Sequence, residues 1–226
     1  MSEAPFDHIA LIGLGLLGSS LAHAIKAHLP DALVTGYDAS PEVRARATEL
    51  GLAEIVDDPA EAVRGAGLVI LCVPVGAMAD AAAALAPGLS PEAIVSDVGS
   101  SKQSVAKPLA AALPGHTVIP AHPVAGTERS GPDAGFASLF HNRWCILTPP
   151  VDADSTAVAR LSAFWAALGA NVETMDPAHH DLVLAITSHL PHLIAYTIVG
   201  TASAGSSAMS ASSSSAARTR TSGEAS

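Results

Sequence analysis

Over residues 6–174, short apolar runs rich in β-branched residues alternate with alanine-rich stretches of helical spacing, and Gly, Pro and Asp punctuate the joins. That alternation predicts an α/β fold with a parallel sheet. The runs place strands at 8–12, 33–37, 68–73, 93–97, 117–121, 144–148 and 171–174, most too apolar to carry a wet face. Helices are predicted at 16–28, 41–49, 76–85, 101–113 and 155–168. Ser40-Pro41 gives the clearest start signal, a capping hydroxyl followed by proline in the first turn. The expected architecture is a Rossmann-like, doubly wound parallel sheet in a first domain of residues 1–175.

After Asp176 the pattern changes. Residues 177–202 read as one or two helices with no strand between them, so a helical region is predicted to begin at 176 and run to 202. Residues 203–226 are dominated by serine and alanine without apolar periodicity, and the expectation for them is disorder.

Composition narrows the partners. Acidic residues outnumber basic ones by 21 to 11, a formal charge of −10, which disfavours a nucleic-acid partner. The 226 residues are 49% hydrophobic, enough for one sizeable core, yet the longest strongly apolar run, 66–79, is shorter than a membrane span and contains Pro74. No membrane helix and no signal peptide are expected. The two cysteines, Cys72 and Cys145, sit far apart in apolar runs and read as reduced buried thiols of a cytoplasmic protein.

The first strand runs directly into Gly13-Leu14-Gly15-Leu16-Leu17-Gly18 and a helix. In that context Gly13 permits the tight turn, Gly15 lets the backbone approach a pyrophosphate, and Gly18 lets helix and strand pack closely. The diphosphate would rest on the unpaired N–H groups at the start of the helix near Leu16 and Leu17. Asp38 follows Gly18 by 20 residues at the end of the next strand, where a carboxylate accepts bonds from ribose hydroxyls and repels a 2′-phosphate. NAD is therefore expected rather than NADP. The third strand end, with Val73 and Pro74, offers an apolar wall for adenine or nicotinamide, although ordinary strand termination explains it equally well.

Polar groups converge at the next two strand ends, Asp97 to Lys102 and Ala121 to Glu128. His122 stands out, because histidine takes up a proton near neutrality and this position is where such sheets present their reagents; taken alone, a structural hydrogen-bonding histidine is the favoured reading. Ser188-His189-Leu190-Pro191-His192 puts two histidines three apart around a proline. His179, His180, His189 and His192 could suggest zinc, but no cysteine or carboxylate completes a familiar ligand spacing, and no metal is expected.

The glycine motif, Asp97 to Lys102, His122-Pro123-Val124-Ala125-Gly126-Thr127-Glu128 and Ser188-His189-Leu190-Pro191-His192, in this order and spacing, resemble the prephenate/arogenate (cyclohexadienyl) dehydrogenase family of tyrosine biosynthesis over about residues 6–202. The resemblance implies NAD-dependent oxidative decarboxylation of prephenate or arogenate. It makes His122 the base that accepts the ring hydroxyl proton and Ser100 the group that orients that hydroxyl. It places His192 and His189 along the substrate pocket with Glu128 at its mouth. It further implies that the helical region opens an all-helical dimerisation domain of a homodimer.

The chain departs from that pattern where a dianionic substrate would need a cation, for no lysine or arginine lies between Arg160 and Arg218. The abrupt change to Ser/Ala-rich sequence after Ala202 resembles a lost reading frame or a shortened gene model, with a genuine short variant as the alternative. The expectation is a chain that binds NAD but turns over poorly. Two other readings stand beside it. One is a catalytically impaired NAD-binding remnant; the other is a β-hydroxyacid dehydrogenase, which would want a lysine in the helical region.

Overall fold

The computed structural model describes residues 4–189. The chain divides after Asp181 into two units, and the sheets belong to the first.

Six parallel strands form the main sheet in the order β3-β2-β1-β4-β5-β6: β1 His8–Ile12, β2 Leu33–Tyr37, β3 Glu54–Ile55, β4 Leu68–Leu71, β5 Ile94–Asp97 and β6 Thr117–Val118. This is the Rossmann arrangement, with the order reversing between β1 and β4. Side chains along a strand point alternately to opposite faces. Ile9 and Leu11 of β1 and Leu68 and Ile70 of β4 accordingly enter one core, while Ala10, Ile12, Val69 and Leu71 enter another. Both faces of the central strands are buried, so the predicted absence of a wet face holds.

The first core lies under α1 Leu16–His28 and α6 Ser155–Ala167, where Phe6, Phe140, Phe164 and Trp165 make edge-to-face contacts. The second lies under α3 Pro59–Ala62, α4 Met78–Leu85 and α5 Gln103–Ala112. On the remaining helix, α2 Pro41–Glu49, Ser40 Oγ accepts from Val43 N–H with Pro41 in the first turn, as the sequence predicts.

The expected strand 117–121 is two strands. Pro120 has no N–H to continue the ladder, and beyond it the chain enters a second sheet. There β7 Ala121–Pro123 pairs antiparallel with β8 Trp144–Leu147, which pairs parallel with β9 Asn171–Thr174. The single parallel sheet read from the sequence is thus corrected to a parallel six-stranded sheet plus a mixed three-stranded one. Helix α7 Pro177–Leu184 follows, its first turn capped by Asp176 Oδ1, which accepts from Ala178 and His179 N–H; a π-helical turn Ala185–His189 ends the described residues.

Candidate active site

Parallel strands present their C-terminal ends along one edge of the sheet, and most candidate residues lie there. Gly13 follows β1 with φ +98°, and a Cβ on it would stand 2.6 Å from the Cys72 carbonyl oxygen. A Cβ on Gly18 would stand 1.9 Å from the Gly13 carbonyl oxygen, so only glycine lets α1 start this close to the strand. Around Gly15 the reverse holds, since nothing lies within 4 Å of an added Cβ. The turn is therefore packed behind and open in front. Leu16 and Leu17, half-buried, begin α1, whose first turn carries no acidic residue, and its N-cap Gly15 has no side chain to occupy the leading N–H groups. Such an end suits an anion.

Asp38 stands beyond β2 at the same edge. Its Oδ2 accepts from Leu14 N–H at 2.8 Å and its Oδ1 from Ser40 N–H at 2.9 Å, so the carboxylate braces the glycine turn. Arg44 is closer to this position than sequence spacing suggests. Its guanidinium donates to the Asp38 carbonyl at 2.8 Å and to Asp57 at 2.9 Å, and it lies 5.6 Å from the Tyr37 ring centroid. Val73, half-buried, and Pro74, exposed, follow β4; Ser100 is exposed between β5 and α5, and Glu128 is exposed in the loop after β7.

His122 sits on β7 with 7% of its surface exposed. Its Nδ1 is 2.9 Å from Nε2 of His180 on α7, the two rings crossing at 68° with centroids 5.1 Å apart. His180 Nδ1 in turn lies 2.7 Å from Asp181 Oδ1. Asp181 also accepts from Lys102 N–H at 2.8 Å and Gln103 N–H at 3.0 Å, which ties α7 to the start of α5.

Beneath this chain lies a fully buried ion pair. Lys102 Nζ donates to Asp97 Oδ2 at 2.5 Å and to the Ala121 carbonyl at 2.6 Å, while Asp97 accepts from Gly99 N–H at 2.7 Å and Ala121 N–H at 3.2 Å. Burial pushes the Asp97 carboxyl up and the Lys102 ammonium down, and each offsets part of the other's shift. The pair clamps the residue preceding His122 from both its N–H and its C=O.

The sequence reading did not assign roles to Lys102, His180 or Asp181. Lys102 closes the motif that begins at Asp97, and His180 was a zinc candidate only; the adjacent His180-Asp181 pair, one turn into a capped helix, was the available signal. Among the described residues no three His, Cys, Asp or Glu side chains are grouped to hold a metal ion. His192 lies outside the described residues, as does the side chain of His189.

The fold and its glycine turn place the chain in the class of Rossmann-type nucleotide-binding proteins. Two family models then match it in succession: the prephenate dehydrogenase nucleotide-binding domain over residues 21–174 and the prephenate dehydrogenase dimerization domain over residues 176–220. The chain belongs to the prephenate dehydrogenase family.

Among curated proteins it is 52% identical over 196 residues to the cyclohexadienyl dehydrogenase of Zymomonas mobilis, covering 86% of this chain and 67% of that one. It is 37% identical over 199 residues to the prephenate dehydrogenase of Bacillus subtilis, covering 85% and 53%. The chain thus spans from about half to two thirds of these relatives' lengths. Of solved structures, prephenate dehydrogenase from Aquifex aeolicus in complex with hydroxyphenyl propionate and NAD+ superposes with a TM-score of 0.80 at 31% identity, covering 89% of this chain and 70% of that one. Synechocystis arogenate dehydrogenase superposes with a TM-score of 0.77 at 31% identity, covering 86% and 68%.

Proposed function

We propose that this chain carries the NAD site and the base of a dehydrogenase that oxidatively decarboxylates prephenate, arogenate or both, a step of tyrosine biosynthesis. The observation that carries the reading is His122, buried in the middle of the short strand β7 and bonded through Nδ1 to His180. Membership in the family, the NAD+ complex of the Aquifex relative and the names of the curated relatives support it.

The residues fit the cofactor. The turn of Gly13, Gly15 and Gly18 leaves open space at Gly15, where a pyrophosphate can approach backbone, and the first turn of α1, with the N–H groups of Leu16, Leu17 and Gly18, contains no acidic residue. Asp38 would accept from the adenosine ribose, with Val73 and Pro74 flanking a ring. NAD, when bound, supplies the hydride acceptor.

His122 takes the proton of the ring carbinol through Nε2, since Nδ1 is engaged by His180. Loss of that proton and of the carbinol hydride leaves a ring dienone whose ketone is vinylogous to the ring carboxylate. The carboxylate departs as carbon dioxide and its bonding electrons enter the ring. Ser100 orients the hydroxyl and Glu128 stands at the mouth of the pocket; the resemblance also assigns His189 and His192 to substrate binding, and their side chains lie outside the described residues. The dimerization-domain match supports a homodimer, and the two free thiols fit a cytoplasmic setting. Among the described residues no helix is long and apolar enough to cross a membrane.

The test is an NAD titration run beside a dehydrogenase assay with prephenate and with arogenate. Binding with turnover of either substrate supports the reading. Binding without turnover favours a cofactor-binding module, and no NAD binding rejects both.

A further inference from the structure

Hydrogen-bond logic fixes where the protons sit in the line Asp181–His180–His122. An ionised carboxylate can only accept. Partial burial would raise the Asp181 carboxyl, but bonds from Lys102 N–H, Gln103 N–H and His180 outweigh it and hold the group below its ordinary value. His180 Nδ1, 2.7 Å from Asp181 Oδ1, is therefore a donor. Burial, ahead of the opposing pull of Asp181, keeps His180 below its ordinary 6.5, so at neutral pH its ring carries one proton and Nε2 is an acceptor. The 2.9 Å contact between His180 Nε2 and His122 Nδ1 is then a hydrogen bond only if His122 Nδ1 carries a proton.

We propose that His180 and Asp181 are positioning residues that hold His122 in its Nδ1–H tautomer and so keep the lone pair on Nε2, the atom that takes the substrate proton. The catalytic half of this proposal rests on the reading of His122 as the base; the tautomer does not.

Buried aspartates serve histidine bases in this way in Ser-His-Asp triads, setting tautomer and orientation without themselves becoming protonated. Here a second imidazole is interposed. When His122 Nε2 gains a proton, its Nδ1–H still donates to His180, whose Nδ1–H still donates to Asp181, so the new cation meets an aligned acceptor and a carboxylate without further proton movement. The other charges facing His180 are Lys102 at the start of α5 and Asp97 on β5, which pair with each other. Should His180 itself become protonated, its Nε2–H would face the Nδ1–H of His122 and break the line.

The first measurement needs no variant: long-range 1H–15N correlation spectra of the full chain labelled with 15N-histidine, at neutral pH. A protonated Nδ1 and an unprotonated Nε2 on His122 support the proposal, and the opposite tautomer overturns it. The second is His180→Phe, which keeps a ring and removes both nitrogens. His122 should then shift toward the Nε2–H form, and kcat should fall roughly 10- to 10⁴-fold, up to the loss seen when a catalytic histidine is left in the wrong tautomer, with KM little changed. An unchanged tautomer in a folded His180→Phe protein overturns the relay. Turnover retained by His122→Asn removes the base and overturns the catalytic half alone.

Discussion

A buried histidine bonded to another histidine can be structural, and substitution separates the two roles. His122→Asn keeps a polar side chain of similar reach, and the expected outcome is unchanged NAD binding by titration with turnover lower by about 10²- to 10⁴-fold, the usual contribution of a general base. Gly18→Ala should act on the other half of the site. The added methyl would meet the Gly13 carbonyl oxygen, a backbone atom that cannot swing aside, so a stability loss of about 1–3 kcal/mol in urea melts and weakened NAD binding are expected together. Normal NAD affinity in that variant would count against the turn as the cofactor cradle. The glycines and His122 were legible in the sequence because their meaning comes from neighbours in the chain, a strand before and a helix or loop after. His180 and Asp181 were not, since their meaning comes from residues 58 and 79 positions away that only folding brings near.

Elements were legible in proportion to their length. The strands at 8–12, 33–37 and 171–174 and the helices at 16–28 and 41–49 have the predicted bounds; a strand shows its two-residue period within four or five residues, whereas a helix needs several turns. The two residues of β3 and the four of α3 carry no measurable period and were missed. The split at Pro120 was missed because residues 117–121 read as one mostly apolar run, and a change of sheet leaves no mark on hydropathy. What joins the sheets there is the Lys102–Asp97 pair, whose removal the structure makes expensive. Lys102→Met would leave the buried Asp97 carboxylate without its counter-charge and the Ala121 carbonyl without the ammonium donor, and a loss of about 3–5 kcal/mol in urea unfolding is expected. A loss below about 1 kcal/mol, the level of an exposed pair, would mean that water reaches the site.

Across the whole molecule, burial sets how stability responds to acid. His8 and His180 are both pushed below their ordinary 6.5, chiefly by desolvation. Between each folded value and 6.5 the unfolded chain binds more protons, so stability should fall as pH drops below 6.5 and these two contributions should level off below the folded values. Asp181, held below its ordinary 3.8, contributes stability above 3.8 that is lost as pH falls through its folded value. Urea midpoints measured from neutral to acid pH should trace this descent, and His180→Phe should flatten its upper part; an unaltered slope would show that His180 does not carry it. The class of the fold followed from the alternation of strands and helices, whereas this acid response depends on which histidines folding buries, and hydropathy does not mark them. The crossing at Pro120 also offers a clock. The Ala121 amide hydrogen is held by the Asp97 carboxylate, not by a neighbouring strand, so its exchange with deuterium times the opening of one ion pair and not the fraying of either sheet. In the parent chain it should exchange as slowly as the core of β5. In Lys102→Met it should quicken while the β5 amides keep their pace, making one proton the reporter of whether two sheets move together.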